Sequence, residues 1–304
     1  AAHDNTDNQT NIAKKLVSLL ACKNLDAQAR AAHALWMLAV NNQGAPARVV
    51  NAGAISPLVM LLGMGSMRAK EEAVGALSCL AHNDPSNQLA IATGLVALLG
   101  QGAAEGQEQV TQMLNKFAEH PDNRSAISEA GAIQRLIGQL KGGETSVFAQ
   151  ELAAAALMHL SSDPKGIGMA NVASISEHSG IRPLVALLSI DNEDARARAS
   201  SVIANITYFN KDIQEQVRAE SAIEPLVTLL SDGVQVAARA EAAGGLWSLS
   251  TDNPEIKSAV NAAGAIPALV ELLQTDAAKL VGVVPVPNKK KGEEVTKEET
   301  EEAA

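Results

Sequence analysis

The stretch NAAGAIPALVELLQ, residues 261–274, spells two short helices and the break between them. Gly264 ends the first, because only glycine enters a left-handed cap without steric cost. Pro267 suits the first turn of the second, where its missing N–H loses nothing. Ile266, Leu269, Val270 and Leu273 then fall at i, i+3, i+4 and i+7, one face of a helix. The phrase returns as NAGAISPLVMLL (51–62), EAGAIQRLIGQL (129–140), SGIRPLVALL (179–188) and ESAIEPLVTLL (220–230). Shortened copies stand at 92–99 (ATGLVALL) and 11–20 (NIAKKLVSLL). The closing leucines, at positions 20, 62, 99, 140, 188, 230 and 273, are 42, 37, 41, 48, 42 and 43 residues apart. A self-similar period near forty, with two or more helices in each unit, marks an all-α solenoid.

Between one such phrase and the next lies a longer amphipathic stretch: 26–40, 66–81, 107–118, 146–161, 193–208 and 234–250. Within 68–81 the apolar set Ala73, Ala76, Leu77 and Leu80 repeats the helical spacing. Breakers follow at Asp84-Pro85, Pro121-Asp122, Asp163-Pro164 and Asn253-Pro254, and proline there ends the helix and turns the chain. Each unit therefore reads as short helix, glycine, middle helix, loop, long helix: three helices per repeat. Residues 1–10 are polar and expected to fray. The repeats occupy 11–288, as about six to seven units.

A phrase like AGAIPALVELL, followed about ten residues later by EEAVGALSCLA or AEAAGGLWSLS, resembles the armadillo repeat of β-catenin, plakoglobin and importin α. The resemblance spans about 11–274 and implies a right-handed α-α superhelix with no particular member singled out. It also implies that the long third helices line a concave groove in which partners lie as extended peptides. Two departures are expected to disturb the superhelix. The unit ending at Leu99 lacks the turn after Gly94, and extra residues at 166–173 are expected to form a bulging loop.

In importin α the groove is set by a Trp and an Asn one turn apart on successive third helices. The aligned Asn positions here hold Met37, Cys79, Lys116, His159, Asn205 and Ser248, and only Asn205 matches. The Trp positions hold His33, Gly75, Gln112, Ala155, Ser201 and Gly244, so the aromatic slots that clamp lysine stems are missing. Importin-like cargo binding is not implied. Trp36 and Trp247 fall one residue before the Asn frame, where packing is the favoured role. The groove residues expected to meet a partner are Lys116, His159, Asn205, Arg198, Ser248 and Gln112. A solvated face would show a similar mixture.

The formal net charge of −10 argues against nucleic acid as a partner. No apolar run reaches the ~18–20 residues of a membrane span, so no membrane insertion is expected. Cys22 and Cys79 are too few for a disulfide framework and fit reduced thiols in the cytoplasm. The chain begins without Met, so an upstream targeting segment would be invisible. Residues 289–304 are charged and expected to be disordered; the basic run 289–291 reads as a nuclear signal or, the favoured reading, a solvated run. Ala277 to Val284 is a candidate cap over the last repeat.

No P-loop, HExxH, GxSxG or EF-hand pattern occurs, and the six histidines lack metal-ligand spacing. No enzyme and no cofactor is therefore expected. Two readings remain. One is a non-catalytic scaffold or adaptor binding an extended segment of a partner protein in the groove. The alternative is a structural subunit held in a larger assembly through its ends and convex face.

Overall fold

Helix pairs hinged at a glycine recur along the chain as the repeated phrase requires. In the computed structural model, which describes residues 6–41, 44–99, 104–143, 145–162, 166–231 and 234–276, the described residues form eighteen α-helices and no strand. The opening phrase lies across α17 (Pro254–Ala262) and α18 (Ala265–Asp276), bent by 77° across Gly264. Helices α3 (Ala45–Asn51) and α4 (Ile55–Met64) bend by 76° across Gly53.

The hinge residue is left-handed in every full copy. Its φ is 82° at Gly53, 78° at Gly131 and 85° at Gly264, but also 58° at Ser179 and 63° at Ser221. Two repeats thus accept backbone strain that glycine would remove. After Gly131, α8 (Pro121–Glu129) passes to α9 (Ala132–Leu140); after Ser221, α14 (Lys211–Ala219) passes to α15 (Ile223–Thr228).

The long helices are α2 (Leu25–Asn41), α5 (Met67–Ala81), α7 (Ala104–Glu119), α10 (Val147–Ser161), α13 (Glu193–Thr207) and α16 (Val236–Ser250). Four begin at a side-chain cap that accepts the N–H three residues on: Asn24 from Ala27 (3.0 Å), Ser66 from Ala69 (3.3 Å), Ser146 from Ala149 (3.1 Å) and Asn192 from Ala195 (2.7 Å). They pack side by side in two runs, α2 on α5, and α7, α10, α13 and α16 in succession, with only slight contact between α5 and α7. Alanine at the contacts, as at Ala73, Ala153, Ala199 and Ala242, brings the helices close, and one apolar core runs from Ala13 to Leu272.

Three sequence expectations change. Helix α1 (Thr6–Leu20) starts inside the stretch expected to fray. The short unit has no hinge, so its first two helices fuse as α6 (Pro85–Leu98) with Gly94 inside. Without that corner α7 leans on α4 and α6 more than on α5: a Cβ on Gly106 would stand 2.8 Å from the Gly63 carbonyl. Residues 166–173 do not bulge: Gly166 (φ 91°) leads into α11 (Ile167–Glu177), which absorbs the extra length as helix before α12 (Ile181–Leu187). The expectations for 277–304 lie outside the described residues.

Polar side chains lock each repeat to the last. Asn87 donates to the Leu80 carbonyl (2.9 Å), Asn123 to that of Phe117 (3.0 Å) and Asn171 to that of Leu160 (2.8 Å), satisfying carbonyls left open at third-helix ends. Gln214 does the same for Thr207 (3.1 Å).

A Cβ on Gly131 meets nothing within 4 Å, so only the backbone resists substitution. Gly131→Ala should therefore destabilise by about 1–2 kcal/mol, whereas Ser221→Gly, relieving the same geometry, should stabilise by a smaller amount. Urea denaturation of both variants measures the two signs, and equal signs would contradict a backbone origin.

Candidate functional site

The residues expected in the groove separate into three kinds. Lys116 is exposed on α7 and lines a cleft of about 330 Å³ with Ser78, Asn83, Gln88 and His120. The cleft opens at the ends of α5 and α7, where the short repeat has set those two third helices apart. Gln112, one turn earlier on α7, is half-buried, as are His159 on α10 and Arg198 on α13.

Asn205 and Ser248 serve the fold. The Asn205 amide spends both N–H groups on the preceding repeat, to the Met158 carbonyl (3.2 Å) and the Ser161 hydroxyl (3.0 Å). Ser248 is fully buried and donates to the Ala204 carbonyl at 2.6 Å, so it offers a partner nothing. Residue type at a frame position could not separate these roles, because an amide suits a neighbouring helix as well as a peptide.

Two carboxylates join these residues: Glu241, which alternates with Arg198 in the sequence of the third helices, and Glu151, which sequence reading missed. Burial, and after it the charge of Asp194, pushes the Glu151 carboxyl above its ordinary value, with Arg198 and Asn192 pulling the other way. Burial likewise pushes Glu241 up, although the Ser201 hydroxyl donates to it at 2.5 Å and Arg198 lies near. His159 is held below the usual imidazole value by burial first and by Arg124, with Glu119 opposing. Arg198 bears on all three groups. A track of partly desolvated charge thus crosses α10, α13 and α16 from His159 to Glu241, with Lys116 exposed on α7 beyond it. Titratable groups perturbed together mark a surface where charge is held under tension. The signal in sequence was the Arg and Glu alternation at Arg198 and Glu241; Glu151 sits one place off that frame.

The two tryptophans differ. Trp36 lies over the next third helix, where a Cβ on Gly75 would come within 2.8 Å of its ring. Trp247, in the same frame on α16, is 39% exposed and rests against Tyr208 (ring centroids 5.7 Å apart). Among the described residues no cluster of His, Cys, Asp or Glu could hold a metal ion, and no single helix is long and apolar enough to cross a membrane.

Residues 42–82 match the family described as Armadillo/beta-catenin-like repeat. An engineered protein solved by the Northeast Structural Genomics Consortium superposes with a TM-score of 0.67 at 27% identity, covering 88% of this chain and 69% of its own. A designed armadillo repeat protein in complex with the peptide (KR)4 superposes at 0.59 with 23% identity, covering 78% of this chain and 98% of its own. Protein CELLULOSE SYNTHASE INTERACTIVE 3 of Arabidopsis thaliana is 24% identical over 235 residues, 73% of this chain and 11% of that protein, so the chain spans about a tenth of its length.

A carboxyl whose pKa is higher folded than unfolded stabilises the fold while protonated, and that contribution is lost as pH rises through the folded value. Glu241→Gln keeps an acceptor for Ser201 but cannot ionise. The variant should exceed the parent in stability near about pH 7, and its advantage should shrink as pH falls toward about 4. His159 acts with the opposite sign, its contribution being lost on acidification through its lowered value. Denaturation midpoints across pH test this, and a variant less stable than the parent at neutral pH would mean that Glu241 is a net stabilising partner of Arg198.

Proposed function

Because this chain is an armadillo-repeat solenoid, we propose that it is a non-catalytic interaction module binding an extended segment of a partner protein across the third helices α7, α10, α13 and α16. The observation that carries this reading is the row of charged groups on successive third helices, His159, Arg198 and Glu241, with exposed Lys116 on α7. A stacked array presents one long face that a compact domain of equal core cannot, and an extended segment uses length well. The designed protein bound to (KR)4 is a precedent for peptide binding on this fold.

Charge sets the register. Lys116 favours an acidic side chain beside the 330 Å³ cleft. Glu151, already raised by burial and by Asp194, favours a basic one, which would relieve the repulsion between the two carboxylates. The partner segment is thus mixed in charge, acidic toward α7 and basic toward α10 and α13. Cys22 and Cys79, both unpaired, suit a protein of the cytoplasm.

The test reverses both ends of the register at once. Lys116→Glu with Glu151→Lys, on a chain whose helicity is unchanged, should weaken partners recovered by pull-down roughly tenfold or more, since a desolvated charged contact is worth about 1–3 kcal/mol. Lys257→Glu, on exposed ground of α17, should leave them alone. If all partners bind the double variant as tightly as the parent, the third-helix face is not the contact and the assembly-subunit reading replaces this one.

A further inference from the structure

Gln88 and Gln214 stand at the same place in their repeats, four residues after the caps Asp84 and Asn210. At the close-packed junction of α13 and α16 the Gln214 amide bridges the two helices. Its N–H groups reach the carbonyls of Thr207 (3.1 Å), Ser248 (3.2 Å) and Thr251 (3.0 Å). Its oxygen accepts from Asn253 (3.3 Å), the cap of the following helix. Gln88 makes only the first of these bonds, to the Ala81 carbonyl (3.0 Å). The end of α7 and the following cap, His120, line the 330 Å³ cleft instead, and the Gln88 oxygen carries no hydrogen bond among the described residues. Gln88 is nevertheless only 5% exposed, and so is Asn123, which donates to the Phe117 carbonyl and whose oxygen is likewise unbonded. Two buried amide oxygens are thus left unmatched at the walls of one cleft.

We propose that this cleft, where the third helices part, takes the guanidinium of an arginine in the partner segment, which rests on the binding of such a segment across the third helices. The unmatched groups at its walls are acceptors. The carboxylates of Glu119 and Asp122, both exposed at the rim, join the oxygens of Gln88 and Asn123. The last turns of α5 and α7 form walls as well, and a helix C-terminus carries partial negative charge. Such a site calls for several donors at once. A guanidinium offers five in one plane, whereas an ammonium offers three and holds its water more strongly. Ala81 and Phe117, both buried, supply apolar wall for the stem. Lys116 is the opposing charge in the lining. The acidic residue that it favours then stands beside the arginine and screens the two cations from each other. At this point the segment therefore carries an acidic residue and an arginine together.

Acetyl-arginine amide, titrated at millimolar levels into the isotope-labelled full chain, tests the cleft without any partner. The expected result is a saturable shift of the Gln88 side-chain amide resonances, with those of Gln214 unmoved. Glu119→Gln with Asp122→Asn, both on exposed ground, should weaken this binding roughly tenfold, because charge-assisted bonds become neutral ones. Acetyl-citrulline amide, of the same shape without the charge, and acetyl-lysine amide should not saturate in the same range. Failure of the arginine amide to saturate, equal binding by either analogue, or unchanged affinity in the carboxylate variant overturns the guanidinium site. Its failure is separable from failure of the binding face. If the arginine amide does not bind while Lys116→Glu with Glu151→Lys still weakens the partners, the cleft alone is lost. If it binds while partners ignore that double variant, the third-helix face is lost and the cleft stands as a guanidinium site.

Discussion

An amphipathic closing helix in this chain cannot bury its own stripe, and the rest of the molecule follows from that. The second helix of each repeat turns three or four aliphatic residues inward, and the third helix of its own repeat and the repeat that comes next cover them together. Fully burying one such side chain is worth roughly 1.5–3 kcal/mol, so each junction rests on several kcal/mol that no isolated repeat could collect. Leu136 at 0% and Ile137 at 1% exposure show the demand met, and Val270 at 47% shows it unmet. Stacking is thus a requirement of the sequence pattern rather than one of several options.

Burial alone would let helices slide along one another, and the polar locks prevent it. Asn87, Asn123, Asn171 and Gln214 each seek an open carbonyl at the end of the preceding third helix. Such a bond adds only about 0.5–1.5 kcal/mol, but leaving a buried carbonyl unpaired costs more, so a wrong register is penalised twice. The locks also explain how α11 tolerates its extra length. Asn171 reaches Leu160 from further inside its helix than Asn123 does from α8, and the junction closes all the same.

The fold was legible because its determinants are local and repeated: the glycine hinge, the apolar stripe and the breaker dipeptides each carry one conformational meaning. Two irregular repeats were legible as irregular but not in outcome. A missing turn can end as a loop or as the continuous α6, and an insertion as a bulge or as more helix. Packing against α4 and α7 decides, and no local pattern contains it. The candidate site was half legible for the same reason. Lys116, Gln112, His159 and Arg198 do lie on the third helices with some exposure, whereas Asn205 and Ser248 are turned into the junctions. Exposure at equivalent positions differs from repeat to repeat because the neighbouring residue, not the position, decides what is covered.

That dependence on neighbours also locates recognition in the middle of the array. One frame position on a third helix meets another on the next, and where both are polar they bond: His33 with Glu72 at 2.8 Å, Ser201 with Glu241 at 2.5 Å. In the same frame Gln112 aligns with Leu152, and Ala155 with Arg198. Each of these pairs has one member with no hydrogen-bonding group, so the lock cannot form. A half-buried amide and a half-buried guanidinium stand at adjacent junctions without that hydrogen bond, although Arg198 feels the charges of Glu151 and Glu241. Groups already stripped of part of their water lose least when a peptide arrives to match them. The helices α7, α10 and α13 are therefore where an extended partner gains most, and the locked junctions on either side hold that surface in shape.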